Sequence, residues 1–165
     1  LSDAMQYALR SPLVIAGSTI MFALLLWWAE KRALEDRDVV TWKDMVMVGL
    51  FQALALIPGT SRSGITITAG LMLGLKREYA ARFSFLLSIP VIALAGGLKG
   101  VELYQAGTVM IEWQLMLIGA SISFIVAFFS ISWFITLLDK IGMLPFVWYR
   151  LILGVILISV FAGQA

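Results

Sequence analysis

Two uncharged runs, Met45 to Ile57 and Ile65 to Leu75, flank the turn Pro58-Gly59-Thr60-Ser61-Arg62-Ser63-Gly64. Neither is long enough to cross a bilayer. The runs hold 13 and 11 residues. At a helical rise of ~1.5 Å per residue they reach only ~20 Å and ~16 Å, against a hydrocarbon core of roughly 30 Å. The simplest geometry is a re-entrant hairpin over residues 45–75: one helix enters the membrane, turns at Pro58-Gly59, and a second leaves by the same side. Non-helical backbone at that depth is tolerated only where protein buries it or where it lines a polar cavity. The turn therefore implies a cavity.

The residues of the turn say what such a cavity would hold. Thr60, Ser61 and Ser63 bring hydroxyls, and Gly59 and Gly64 let the backbone come close to a ligand. The second helix, starting at about Ser63, points unpaired N–H groups and the positive end of its dipole inward. Arg62 adds a planar fork of donors that fits a phosphate bidentately and keeps its charge. The expected ligand is an anion, a phosphate or diphosphate.

The chain is 61% hydrophobic and only 13% charged, where a soluble domain carries about 25% charged residues. This is the composition of an integral membrane protein. Its net charge of +2 is too small to suggest nucleic acid, and the basic residues cluster at the ends of apolar runs, where they orient helices. Cysteine and histidine are both absent. That excludes disulfide and thiolate chemistry, an imidazole base, a phosphohistidine and a His-ligated metal within these 165 residues. The start, Leu1-Ser2-Asp3, shows no signal peptide and reads as a cut through a longer protein.

In chain order, Pro12 to Ala29 is the first span, with Trp27 and Trp28 at its exit. Glu30 to Asp44 carries four basic and five acidic residues and is expected as a solvated loop. The hairpin follows, closed by Lys76, Arg77 and Arg82, so both its ends are basic and belong on the cytoplasmic side. Thr66, Gly70 and Gly74 recur every fourth residue as a small-residue stripe for close packing. Phe83 to Leu98 is a second span with a kink expected at Pro90. Lys99 to Gln114 reads as an outside loop, Leu115 to Leu138 as the clearest span, and Ile141 to Gly163 as the last. The expected fold class is all-α integral membrane: one domain over residues 1–165 with four transmembrane helices plus one re-entrant helical hairpin.

Each candidate also has a structural reading. Arg62 could snorkel from an interfacial turn, although a charge 13 residues into the membrane costs at least ~2.5–3.5 kcal/mol and calls for a partner or a function. Thr60, Ser61 and Ser63 could cap the second helix, alongside or instead of touching a ligand. For Arg150 two readings stand: an anchor at the membrane surface beside Pro145 and Trp148, or a second phosphate clamp reaching the same cavity. Arg82, Lys76 and Arg77 read as topology determinants, Gln52 as a hydrogen-bonding glue between helices, and Ser84 and Ser88 as packing residues. Glu102, Glu112 and Asp139 fall in loops or at helix ends, and no two carboxylates are spaced for a metal pair.

The string Leu56-Ile57-Pro58-Gly59-Thr60-Ser61-Arg62-Ser63-Gly64, followed by Arg82-Phe83-Ser84-Phe85 and by Pro145-Phe146-Val147-Trp148-Tyr149-Arg150, closely resembles the undecaprenyl-diphosphatase family, also called bacitracin-resistance protein. The resemblance runs over essentially the whole chain, which matches about the second half of a family member. It implies an enzyme of the bacterial inner membrane that removes the terminal phosphate of a C55 polyprenyl diphosphate, recycling the lipid carrier of cell-wall precursors. The implied fold is two inverted-topology repeats, each with a re-entrant hairpin, so that this chain would be one half of an inverted-repeat architecture. By the resemblance Arg62, Ser61 and Ser63 would be catalytic, and Gly59, Thr60, Gly64 and Arg150 would bind substrate.

The family's other motif, a glutamate-rich stretch with a serine and a histidine, has no counterpart here. The family implies a divalent metal, Mg or Ca, whose ligands would then lie outside this chain. The expectation is a fragment or half that needs the first half of the same enzyme as its partner and is inactive alone, because Ser61 and Thr60 are weak nucleophiles without a base beside them. The rival from another class is half of a polyprenyl-phosphate flippase or anion transporter, since carriers also aim a broken helix at their anion.

Overall fold

A computed structural model describes residues 11–34, 37–105 and 113–161. The predicted features at Glu35, Asp36, Glu112 and Gly163 lie outside these residues. Six helices make up the described chain: α1 (Pro12–Arg32), α2 (Trp42–Ala53), α3 (Arg62–Met72), α4 (Arg77–Gln105), α5 (Trp113–Ile141) and α6 (Leu144–Phe161), with a 3-10 turn at Leu54–Leu56 after α2. Four are long and apolar enough to cross a membrane: Pro12–Arg32, Arg77–Gln105, Gln114–Ile141 and Leu144–Phe161. These are the four expected spans, with shifted ends.

The shifts have physical reasons. α4 was expected from Phe83 to Leu98, yet it runs from Arg77 to Gln105 with Pro90 inside it. Continuing the helix keeps its remaining backbone groups paired where no water would replace them. Its extension takes up Lys99 and Glu102, assigned to a loop from sequence, as an i,i+3 ion pair at 2.6 Å. α6 starts at Leu144 rather than Ile141 because Gly142, at φ 69°, ends the preceding helix. Pro145 then sits in the first turn of α6, where no amide is needed.

α2 and α3, joined by the turn at Pro58-Gly59, pack against each other as a helical hairpin. Their open ends are joined by backbone bonds, Arg37 N to Gly74 O at 3.1 Å and Lys76 N to Arg37 O at 2.9 Å. α3 stops at Met72, so Gly74 lies in the following turn at φ 84° and not on the helical stripe. The rest of the stripe packs as expected: a Cβ on Gly70 would stand 2.8 Å from Ala80 Cβ, and Thr66 Oγ1 meets the buried Ser84 Oγ at 2.6 Å.

The segment read as a solvated loop is partly internal. Glu30 ends α1 as a buried residue, its Oε1 accepting from Arg77 Nε at 2.7 Å and from the Met143 amide at 3.2 Å. Arg77, read as a topology determinant, thus ties the start of α4 to the end of α1. Asp44 is buried at the start of α2, where its carboxylate accepts from Arg37 Nη1 and Nη2 at 3.1 and 3.0 Å and from the Thr41 amide at 2.8 Å. Thr41 in turn caps α2 by accepting from Asp44 N, a complete capping box. Arg37 also donates to Leu73 O at the end of α3. One arginine therefore clamps both open ends of the hairpin.

The core lies where α1, α3, α4, the end of α5 and the start of α6 meet, at Leu26, Ile67, Leu71, Ala81, Leu138 and Val147. The outer faces of α4 and most of α5 are exposed and apolar, as lipid-facing helices are.

The Arg37 guanidinium and the Thr41 cap hold the Asp44 carboxyl down at about 2, from an ordinary 3.8. A depressed carboxylate pKa stabilises the fold above the unfolded value and loses that contribution as pH falls through the folded one. Thermal unfolding in detergent is expected to be insensitive to this group above pH about 4 and to weaken from there towards pH 2. Asp44→Asn should remove that part of the acid sensitivity and lower stability at neutral pH by on the order of 1 kcal/mol.

Candidate functional site

The tip of the hairpin is built from the inside out. Ser61 is the N-cap of α3, accepting from Gly64 N at 3.1 Å, and its Oγ lies 3.3 Å from Ser63 Oγ. The capping role is filled by Ser61, and helix α3 begins at Arg62, one residue before the expected start. The first amides of a helix have no intrahelical acceptor. Those of Arg62 and Ser63 find no partner among the described residues, so they remain open donors at the positive end of α3. Thr60 Oγ1 is buried and has no partner among the described residues.

Three side chains from two other helices hold the tip in place. Ser18 Oγ on α1 lies 2.5 Å from Pro58 O and shares its single proton with the Val14 and Ile15 carbonyls of its own helix. Thr19 Oγ1, also on α1, donates to Gly59 O at 3.2 Å. Arg150, in the second turn of α6, donates from Nη2 to the same Gly59 O at 2.9 Å. Gly59 sits at φ 87°, and a Cβ there would collide with Ser18 Oγ and lie 2.5 Å from Ile15 O. Only glycine lets the tip approach α1 so closely. One turn beyond Arg150, Gly154 does the same for the helices, since a Cβ there would run into Ile20 and lie 3.4 Å from Ala16 O.

The tip opens onto a cavity of about 460 Å³. Its polar side is Thr60, Ser61, Ser63 and Arg150, with Thr19, Tyr149, Gly59 and Gly64. Arg150 Nη1 is turned to the start of α3, where a Cβ on Gly64 would stand 2.9 Å from it. The remaining walls are apolar, with Ile15, Leu26, Ile67, Phe134, Phe146 and Leu157 among them. Phe134 and Phe146 pack with ring centroids 4.9 Å apart. Such a cavity suits an anion carried on an apolar chain: donors converge at one end and hydrocarbon lines the rest.

Arg62 does not join this group. Its side chain lines a separate pocket of about 440 Å³ with Gly49, Gln52, Leu56 and Val91. So of the seven residues singled out from sequence, six share one cavity and Arg62 faces another. Arg150 reaches the tip, as the clamp reading required. Sequence reasoning passed over Ser18 and Thr19. Their signal was two adjacent hydroxyls in the middle of an otherwise apolar span, where polar side chains usually bind another helix. No carboxylate lines either cavity. Mg and Ca favour carboxylate and carbonyl oxygens, and a wall of hydroxyl and guanidinium groups does not fit either ion.

The family model for bacitracin resistance protein BacA matches residues 1–156. The chain belongs to the BacA family. It is 55% identical over 160 residues to undecaprenyl-diphosphatase 2 of Stutzerimonas stutzeri, covering 94% of this chain and 59% of the relative. It is 54% identical over 164 residues to the undecaprenyl-diphosphatase of Nitrosococcus oceani, covering 98% and 62%. A third relative, the undecaprenyl-diphosphatase of Alteromonas mediterranea, is 55% identical over 151 residues. The chain spans about three fifths of the length of these curated relatives. Together with its four membrane-length helices, membership of the BacA family makes it a multi-pass bacterial membrane protein.

The tip should be intolerant of any side chain at Gly59. Gly59→Ala is expected to cost about 1–2 kcal/mol from the left-handed backbone alone, and more from the contact with α1. Gly17→Ala, on the same helix as Ser18 but with nothing within 4 Å of its Cβ position, should instead raise the unfolding midpoint, with a gain in stability of up to ~1 kcal/mol. Thermal unfolding of the two variants side by side checks this.

Proposed function

We propose that this chain carries the phosphate-binding half of an undecaprenyl-diphosphatase, which hydrolyses the polyprenyl diphosphate to the monophosphate and inorganic phosphate. The observation that carries the reading is the hairpin tip: open amides, hydroxyls and Arg150 converge at one end of a cavity whose other walls are apolar. A lipid diphosphate has the same two-part character. The names of the relatives point the same way. In this reading α2 and α3 form a re-entrant hairpin, with both open ends on the cytoplasmic side and the tip at membrane depth.

Hydrolysis breaks the anhydride P–O bond. Water adds to the terminal phosphorus, the bridging oxygen leaves with the prenyl monophosphate, and the proton of water ends on phosphate or solvent. The transition state spreads negative charge over the non-bridging oxygens, so positioned donors supply most of the rate. The roles assigned here are charge stabilisation by Arg150 and the α3 amides, and orientation of the phosphate by Thr60, Ser61 and Ser63. Phe134 and Phe146 would hold the first part of the prenyl chain and keep water from the rest of the cavity. No general base stands among the residues lining the tip. We assign that role to acidic residues contributed by the first half of a family member as partner.

The test is release of inorganic phosphate from C55 polyprenyl diphosphate, by this chain alone and co-expressed with the first half of a relative. Activity is expected only in the pair, and Arg150→Ala should lower it by about 10²–10³-fold, the usual loss when one preorganised charge donor is removed. Activity in the chain alone would show that the base lies within it. Transport of the lipid without phosphate release would favour the carrier reading.

A further inference from the structure

The close approach of α3 to α4 at Gly70 and Ala80 brings a second pair of residues together one turn nearer the tip. These are Thr66, four residues before Gly70, and Ser84, four residues after Ala80. Their hydroxyl oxygens lie 2.6 Å apart, and each residue is only 1% exposed.

The direction of this bond follows from the protons available, since each hydroxyl carries one. Thr66 Oγ1 also lies 3.0 Å from Arg62 O and 3.1 Å from Ser63 O, the carbonyls that open α3. Ser84 Oγ has no other acceptor among the described residues. Were Thr66 the donor, the buried Ser84 proton would be left unpaired, at a cost of about 1–3 kcal/mol. Ser84 therefore donates to Thr66, and Thr66 donates to the two carbonyls.

Arg62 O and the Ser63 N–H belong to one planar peptide group. That N–H is one of the open donors at the start of α3, where Ser63 lines the tip cavity. A hydrogen bond accepted by the oxygen fixes the tilt of the peptide plane and polarises it, so its N–H becomes a stronger donor. Ser63 O is joined in the same way to the Gly64 N–H, which donates to Ser61 Oγ.

We infer that Ser84 is a positioning residue for the tip: through Thr66 it holds and polarises, from behind, the peptide whose amide meets the anion. The inference rests on the proposed reading of the tip as a phosphate site. Ser84 does not line the tip cavity, so its effect passes through the peptide alone. The competing role is packing, in which the pair merely satisfies two buried hydroxyls.

Two measurements on the full chain in lipid nanodiscs separate these roles. One is affinity for a prenyl methylenediphosphonate in the unaltered protein, Ser84→Ala, Thr66→Val, the double variant, and Ser88→Ala, whose hydroxyl bonds Phe85 O on its own helix. The other is the Ser63 amide signal, selected by carbon-13 at arginine carbonyls and nitrogen-15 in serine. The chain has two Arg-Ser peptides, Arg10-Ser11 and Arg62-Ser63, and Ser63→Ala removes the second signal. Ser84→Ala is expected to weaken binding about fivefold, the worth of one neutral hydrogen bond, and to move the Ser63 amide proton upfield. Thr66→Val should do the same and the double variant no more, because the two act in series; Ser88→Ala should do neither. Unchanged affinity in Ser84→Ala, an unmoved Ser63 signal, additive losses, or an equal loss in Ser88→Ala overturns the inference and leaves the proposed function standing. A Ser84→Ala chain that fails to fold overturns it too, since the role is then structural. If the unaltered chain does not bind the diphosphonate, the proposed function fails and takes the inference with it.

Discussion

A helix broken at Pro58-Gly59 leaves carbonyl groups that no helix can pair, and their capture by Ser18, Thr19 and Arg150 is the interaction on which the site depends. In an apolar environment an unpaired backbone group costs several kcal/mol, so the tip can exist only where donors from other helices meet it. This accounts for the packing around it. Gly154 lets α6 close on α1, and Gly59 lets the tip close on the same stretch of α1. Ser18, Thr19 and Arg150 thereby arrive at one place from two helices.

The same contacts prepare the tip for chemistry. With its carbonyls held from behind, the open amides and hydroxyls at the start of α3 face the cavity. Arg150 does two things at once: Nη2 holds Gly59 O, and Nη1 extends to the start of α3. Its position is thus fixed before any ligand arrives, which lowers the cost of ordering a long side chain on binding. At the far end of the hairpin the Arg37 and Asp44 clamp limits movement of α2 against α3. The short helices are pinned at both ends.

Much of this is legible in the sequence, for identifiable reasons. Run length and charge placement gave the four spans, because bilayer thickness imposes them. The cluster of hydroxyls around Arg62 marked the tip. Helix ends were less legible, since the charges of Lys99 and Glu102 look like a loop locally while the helix gains by continuing. Glu30 read as a solvated charge because its partner, Arg77, comes from another segment of the fold, and Asp44 because the pairing with Arg37 within the same loop forms only once that loop folds back on the start of α2. The direction of Arg62 could not be read at all. It depends on where α3 begins, and a start at Arg62 instead of Ser63 turns every side chain of the first turn by ~100°.

The central claim is that the start of α3, held by α1 and α6, is where the phosphate of a lipid diphosphate sits. A structure of the chain in a lipid bilayer, with a prenyl methylenediphosphonate that resists hydrolysis, addresses it directly. Phosphorus density within hydrogen-bonding reach of the Ser63 amide, Ser63 Oγ and Arg150 Nη1, with the prenyl chain against Phe134 and Phe146, is the expected result. Density for the diphosphonate elsewhere, with the tip empty and Arg150 still on Gly59 O, would mean that these contacts only hold the hairpin together.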